Sequence, residues 1–123
     1  MAERIGEGEL AVMEVLWAAE RPLTAVEITQ AVDPERGWSE STVKTMLSRL
    51  VTKGVLASEG QGRRFLYTPV IAREAYAAGE SRRFIDRLFG GRAAPLIAHL
   101  AQSDNLSEDD IRELEAVLKG LQS

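Results

Sequence analysis

The chain has 123 residues, of which 45% are hydrophobic and 28% charged, a composition typical of a globular protein. It contains no cysteine, which excludes disulfides and thiolate metal sites. No apolar run approaches the roughly 20 residues that cross a bilayer, and with no signal-peptide pattern at the start we expect a cytoplasmic protein.

The charge is distributed unevenly along the chain. The formal net charge is −4, yet residues 36–73 carry seven basic residues against two acidic ones, a net of +5. The segments before and after them carry −6 and −3. A basic middle in an acidic chain predicts one face for an anionic polymer, and the alternative is a solvated charged surface.

Two helices are predicted before residue 35. Apolar residues at helical spacing predict the first over about residues 7–19, with Pro22 beyond its end. Thr24 opens the second, because Glu27 three residues later completes a capping box. Asp33-Pro34 and Gly37 predict a loop after it.

A third helix is predicted from the N-cap Ser39 to about Lys53, closed by Gly54. One side forms an apolar core stripe, made of Val43, Met46, Leu47, Leu50 and Val51. The other side is polar and free of acids, and it carries Ser41, Lys44, Thr45, Ser48 and Thr52, with Arg49 on its flank.

A β-hairpin is predicted next. Residues 55–58 form its first strand, the glycine-containing stretch 59–62 its tip, and residues 64–68 the returning strand, which Pro69 ends. Phe65 and Tyr67 should face one way, with Arg64 and its alternate neighbours facing the other. Arg63 and Arg64 then lie beside the tip.

The pattern after residue 71 is helical to the end. Helices are predicted over about 72–89, over about 94–102 and from Ser107 onward. Their apolar residues are too few for a separate core, so they predict packing against a second copy of the chain, the alternative being packing against their own N-terminal half. The predicted dimerisation residues are Phe84, Leu88, Phe89, Leu96, Ile97, Leu100, Ile111, Leu114, Leu118 and Leu121.

The order of elements is that of a winged helix-turn-helix. The fold class is therefore mainly α with a small β-hairpin, with a winged-helix DNA-binding domain over 1–71 and a three-helix dimerisation tail over 72–123. A recognition helix must be apolar towards its scaffold and polar, with short side chains, towards base edges. The predicted DNA-binding residues are Ser41, Thr42, Lys44, Thr45, Ser48, Arg49, Arg63 and Arg64.

Several stretches also resemble a known family. The stretches 13–17, 38–47, 49–50, 53–54 and 67–69 are similar to the penicillinase-repressor family of bacterial transcription regulators (the BlaI/MecI/CopY group), with 38–54 the most distinctive. The resemblance covers nearly the whole chain. It implies a homodimer that binds a palindromic operator in double-stranded DNA and represses transcription, with Ser41, Thr42, Lys44 and Thr45 as recognition-helix contacts and Arg63 in the wing.

The chain departs from this family's pattern in two places. Copper-responsive members carry paired cysteines that are absent here, which excludes that metal response. Antibiotic-responsive members are cut by a sensor protease at an Asn-Phe bond, where this chain has His99-Leu100. A sensor protease as partner therefore stays an open alternative.

The sequence predicts a repressor rather than an enzyme, with no metal and no cofactor. No nucleophile–base pair or phosphate-binding loop stands out, and the lone histidine, His99, fits a surface or interface position. Trp17 and Trp38 are expected to serve packing. The alternative function is a winged helix that binds another protein without sequence-specific DNA binding.

Overall fold

The computed structural model describes residues 5–122. Over these residues the chain forms α1 (Glu7–Ala19), α2 (Ala25–Ala31), a 3₁₀ turn (Pro34–Arg36), α3 (Glu40–Thr52), β1 (Leu56–Gln61), β2 (Arg64–Pro69), α4 (Arg73–Phe89), α5 (Ala93–Gln102) and α6 (Glu108–Gln122). None of the helices in this range combines the length and apolarity that a membrane crossing needs. The chain divides into two compact units within α4, after Ala77.

Local hydrogen bonds explain where α2 and α3 begin. Thr24 Oγ1 accepts from Glu27 N at 3.2 Å and Glu27 Oε1 accepts from Thr24 N at 2.9 Å, which is the predicted capping box. Ser39 Oγ accepts from Thr42 N at 3.1 Å, which confirms the predicted N-cap of α3. Gly54, with φ +80°, follows the last turn of α3 in the left-handed region that glycine tolerates.

The hydrophobic core lies entirely in the N-terminal unit. The predicted stripe of α3 is confirmed, because Val43, Leu47 and Leu50 are fully buried and Met46 and Val51 pack against them half-buried. The buried hydrophobic residues are Val12, Met13, Leu16, Leu23, Ala25, Ile28, Val32, Val43, Leu47, Leu50, Val55 and Leu56. The three helices thus bury their apolar faces against one another and against the start of β1.

The hairpin is longer and tighter than the sequence predicts. β1 continues through Gln61, which pairs with Arg64, so the turn consists of Gly62 and Arg63 alone and the predicted four-residue tip at 59–62 is wrong. Gly62 has φ +65°, which a two-residue hairpin turn requires. Gly60 lies inside the ladder opposite Phe65. Arg63 therefore occupies the turn itself, at the far end of the wing.

The hairpin is held to the helices by main-chain pairing. Tyr67 N donates to Leu23 O at 2.8 Å and Leu23 N donates to Tyr67 O at 3.2 Å, so β2 pairs with the segment before α2. Phe65, two residues earlier, is 57% exposed, whereas Tyr67 packs against the core. The wing is therefore held to the helices by main-chain pairing at Tyr67, whereas the half of the wing that contains Phe65 is exposed.

Both tryptophans have the predicted packing role. Trp17 packs against the core, and its Nε1 donates to Ile71 O at 2.9 Å. Trp38 also packs against the core, and the Arg36 guanidinium carbon lies 4.9 Å from the centre of its ring. Each ring thus stabilises a chain segment that enters or leaves the three-helix core.

The C-terminal unit is helical, as predicted. Ser107 Oγ accepts from Asp110 N at 3.0 Å and Asp110 Oδ2 accepts from Ser107 N at 3.1 Å, so Ser107 caps α6 as expected. No described residue of α4, α5 or α6 is buried. These helices consequently present their apolar side chains without a core of their own in the single chain.

Candidate nucleic-acid interface

The polar face of α3 is open to solvent. All of the residues predicted from this helix to contact DNA are exposed, namely Ser41, Thr42, Lys44, Thr45, Ser48 and Arg49. Thr45 Oγ1 donates to Ser41 O at 3.1 Å, so its hydroxyl proton is used within the helix and its lone pairs remain able to accept a hydrogen bond. This face combines short hydroxyl side chains with long cations, which suits close approach to base edges and phosphates.

The structure brings the wing and the recognition helix together at one groove. Lys44 of α3 and the wing residues Arg63 and Arg64 line the same open groove, although about 20 residues separate them in sequence. The complete lining is Thr24, Ala25, Val26, Glu40, Lys44, Arg63, Arg64, Phe65 and Tyr67. Three positive side chains around one depression form a site for a polyanion.

The expectation that the exposed face of α3 is free of acids is wrong. Glu40 lines the same groove, and its Oε1 lies 4.0 Å from Lys44 Nζ. The two residues are four apart in sequence, the spacing at which side chains meet on one face of a helix. The sequence alone therefore indicates that Glu40 belongs to the same face as Lys44.

A second shallow depression runs along the C-terminal half of α3. It is lined by Thr45, Ser48, Arg49, Thr52 and Lys53. Three hydroxyl side chains and two cations lie there, and the depression contains no carboxylate. The predicted contacts Thr45, Ser48 and Arg49 thus share one surface, next to the groove that holds Lys44.

A partly buried ion pair connects the end of α3 with the start of α1. Lys53 Nζ donates to Glu9 Oε1 at 2.6 Å, and the two side chains are only 19% and 8% exposed. Gly6 N donates to the same oxygen at 2.7 Å. The pair positions the recognition helix on its scaffold, and sequence analysis did not identify it because the partners are 44 residues apart.

Opposing influences set the ionisation of Glu9. Burial raises the pKa of its carboxyl, but the hydrogen bonds from Lys53 and Gly6 and the charges of Lys53 and Arg49 outweigh burial. The pKa therefore lies below its ordinary value of 4.5, and the carboxylate is charged at neutral pH.

Two apolar groove residues were also missed by sequence analysis. Val26 is 48% exposed and Phe65 57% exposed, and both line the groove beside the three cations. A large apolar side chain on an exposed surface is informative when it lies inside a candidate site. The alternation of the strand predicted which way Phe65 faces, but only the folded chain places it beside α2.

The chain matches one family model along most of its length. The model for the penicillinase repressor family matches residues 5–120. The chain belongs to the penicillinase repressor family. This confirms the resemblance seen in the sequence, and it confirms the expectation of a repressor rather than an enzyme.

Curated members of the family are similar over nearly their full length. The penicillinase repressor of Bacillus licheniformis is 33% identical over 116 residues, covering 94% of this chain and 90% of that protein. The methicillin resistance regulatory protein MecI of Staphylococcus aureus (strain N315) is 25% identical over 114 residues, covering 93% of this chain and 92% of that protein.

Two solved structures are similar to 62% of this chain. The solution structure of the DNA-binding domain of the repressor BlaI matches with a TM-score of 0.53 and 36% identity, over 62% of this chain and 94% of that one. The Bacillus licheniformis BlaI monomer in complex with the blaP half-operator matches with a TM-score of 0.52 and 36% identity, over 62% and 92% of the chains. These similarities confirm the winged-helix fold.

No group of three or more potential metal ligands occurs among residues 5–122. His99 is exposed on α5.

Proposed function

We propose that this DNA-binding repressor of the penicillinase repressor family acts as a homodimer on a palindromic operator. In the proposal α3 enters the major groove and the wing lies on the adjacent backbone or minor groove. One observation carries it, namely that Lys44, Arg63 and Arg64 converge on one open groove beside the polar face of α3. A duplex placed on α3 then meets the wing as a second, independent contact.

The proposed contacts divide into two kinds. Ser41, Thr42, Thr45 and Ser48 are short and exposed, and they are proposed to lie against base edges or nearby phosphates. The long cations are proposed to neutralise phosphates, and they are Lys44, Arg49, Arg63 and Arg64. Phosphate contacts fix the register of the protein, and base contacts provide the sequence preference.

The proposal assigns the segment 72–123 to dimerisation and the segment 1–71 to DNA binding. The support is the absence of buried residues from α4, α5 and α6 in the single chain. Leu88 is 58% exposed, Leu118 51% and Leu121 79%. Helices that bury no residue are marginal alone, so burial against a second copy would supply the missing stability.

Dimerisation would present two recognition helices to one face of the duplex. Half-sites related by a two-fold axis are then expected at a spacing of about one helical turn, roughly 34 Å, or a multiple of it. The solved complex of the BlaI monomer contains a blaP half-operator. We propose that each protomer of this chain likewise binds one half-site, and that two such half-sites form the operator.

Release from DNA by a sensor protease is a separate hypothesis. The bond between His99 and Leu100 lies inside α5, where His99 is exposed and Leu100 is half-buried. A protease would have to unwind α5 before it could cut there. Intact-mass spectrometry after incubation with the sensor protease of a relative tests the hypothesis, and an uncut chain would remove this partner.

A repressor acts where chromosomal DNA lies, so the proposal places the protein in the cytoplasm. The alternative of a protein-interaction module has weaker support. Family membership favours DNA, and so does the convergence of Lys44 with both wing arginines.

Selection of bound DNA tests the proposal. Purified protein is incubated with fragmented DNA from its source genome, bound fragments are sequenced, and footprinting is repeated on the selected fragments at two salt concentrations. The expected result is one protected palindrome, with affinity that falls steeply as salt increases. Uniform weak binding to every fragment, or none at low ionic strength, would overturn the proposal.

A further inference from the structure

We infer that Val26 and Phe65 form an apolar floor that receives a deoxyribose of one DNA strand and thereby selects DNA over RNA. The inference rests on the proposed function and adds to it a sugar contact that none of the predicted polar residues supplies.

Neither side chain of the floor belongs to the hydrophobic core. Val26 and Phe65 stand outside the buried cluster, at 48% and 57% exposure, yet both line the groove between α3 and the wing. Phe65 lies across the ladder from Gly60, where a β-carbon would sit 3.6 Å from the ring. The ring of Phe65 therefore lies against the opposite strand at Gly60, on the wing surface.

The rim of the groove is charged for a nucleic-acid backbone. Lys44, Arg63 and Arg64 supply three positive charges, and Glu40 is the one acid in the lining. Cations and exposed apolar side chains that line one groove match an alternation of phosphates and sugars.

The geometry of the proposed complex puts a strand in this groove. A helix in the major groove and a wing on the neighbouring backbone or minor groove lie on two sides of one strand. That strand has to cross the space between α3 and β2. Its phosphates then face the cations of the rim, and a sugar faces Val26 and Phe65.

A ribose at this position would carry a 2′-hydroxyl against hydrocarbon. The hydroxyl would lose its water without gaining a hydrogen-bond partner, which weakens binding by roughly tenfold. The 2′-hydroxyl is the group by which a protein distinguishes RNA from DNA at one site. The floor therefore disfavours ribose at one nucleotide of each half-site.

The test replaces single sugars in the operator obtained by genomic selection. Each nucleotide of one half-site is changed in turn to ribose, and the dissociation constant is measured by fluorescence anisotropy. The expected result is a loss of roughly tenfold at one position or two adjacent ones. A 2′-fluoro sugar at the same position, which keeps the ribose pucker but donates no hydrogen bond, should cost far less.

A protein variant tests whether the floor causes the loss of affinity for ribose. Val26→Thr keeps the shape of the side chain and offers the 2′-hydroxyl a partner, so the ratio of deoxyribose to ribose affinity at that position, measured with the variant itself, should shrink severalfold. Val70→Thr is the matched control, because Val70 is 63% exposed just after β2 and does not line the groove. Its ribose penalty should equal that of the wild type.

Three results would overturn the inference in distinguishable ways. Equal affinity for ribose and deoxyribose at every position, with tight operator binding intact, would remove the sugar contact and leave the repressor proposal standing. A loss on changing thymine to uracil, instead of on changing the sugar, would assign the floor to a base methyl group. Failure to bind any duplex would remove the inference and the proposed function together.

Discussion

Lys44 Nζ lies 4.0 Å from Glu40 Oε1, one turn apart on the exposed face of α3. The side chains are 60% and 45% exposed, and ion pairs this exposed contribute little to stability. Lys44 can therefore leave Glu40 for a phosphate at small cost. The Glu40 carboxylate then stays beside the DNA backbone, whose negative charge it repels regardless of the base sequence.

Glu40→Gln should raise affinity for non-operator DNA. Removing a negative charge next to three cations is expected to strengthen that binding by a few fold at low salt, and less at high salt because exposed charges are screened. Fluorescence anisotropy with a labelled random duplex measures the change. Glu74→Gln, an exposed substitution in the first turn of α4, is the control. A lowered affinity together with an altered base preference would instead assign Glu40 to a cytosine amino group.

Lys44→Ala should weaken operator binding and lower the salt dependence. If the side chain neutralises one phosphate, the slope of log K against log salt should fall by about one unit. The measurement is operator affinity at four or more salt concentrations. An unchanged slope with reduced sequence preference would make Lys44 a base contact, and no change in either would remove it from the interface.

Glu9→Gln should lower the free energy of unfolding at neutral pH. The substitution keeps the shape but takes one charge from a partly buried pair, at a cost of about 1–3 kcal/mol. Because the pKa of Glu9 is depressed in the folded chain, its contribution is complete above the ordinary value of 4.5 and is lost as pH falls through the folded pKa. The wild type and the variant should therefore converge in acid.

Urea unfolding at one protein concentration, repeated from pH 7 to pH 3, checks this pH dependence. Glu7→Gln, exposed in the same first turn of α1, is the control and should match the wild type. Equal stability of Glu9→Gln and the wild type at pH 7 would show that the pair with Lys53 is not stabilising.

Leu114→Asp should convert the proposed dimer to a monomer. Leu114 is half-buried in the single chain and lies between Ile111 and Leu118 on one face of α6, so a charge there would be desolvated in a dimer. Sedimentation velocity measures the mass, and operator affinity should fall with it. Ala116→Asp, an exposed substitution on the other side of α6, should leave the mass unchanged. An intact Leu114→Asp dimer would rule out this face as the main contact.

Local signals in the sequence were sufficient for the helices. The capping residues Thr24, Ser39 and Ser107 each predicted a helix start that the structure confirms, because a cap hydrogen bond joins residues three apart. The hairpin tip was misplaced, because its register depends on pairing across the ladder and two glycines offered competing turns. Sequence spacing alone could not decide between Gly60 and Gly62.

The candidate site was only half predictable for the same reason. The face of α3 follows from helical periodicity, and its exposed side chains lie where that periodicity places them. Val26, Lys44 and Phe65 line one groove because of how α2, α3 and the wing pack together. No local sequence pattern predicts that packing. The Lys53–Glu9 pair is likewise a product of tertiary structure.

Amide chemical shifts test most directly which face of the chain contacts DNA. The measurement is a titration of labelled protein with the selected operator duplex, followed residue by residue. The account predicts the largest changes in the first half of α3, at Ser41, Lys44 and Thr45, and at Arg63 and Arg64 of the wing. Changes concentrated instead around Ala19 and Gln30, where the ends of α1 and α2 line a separate depression, would contradict it.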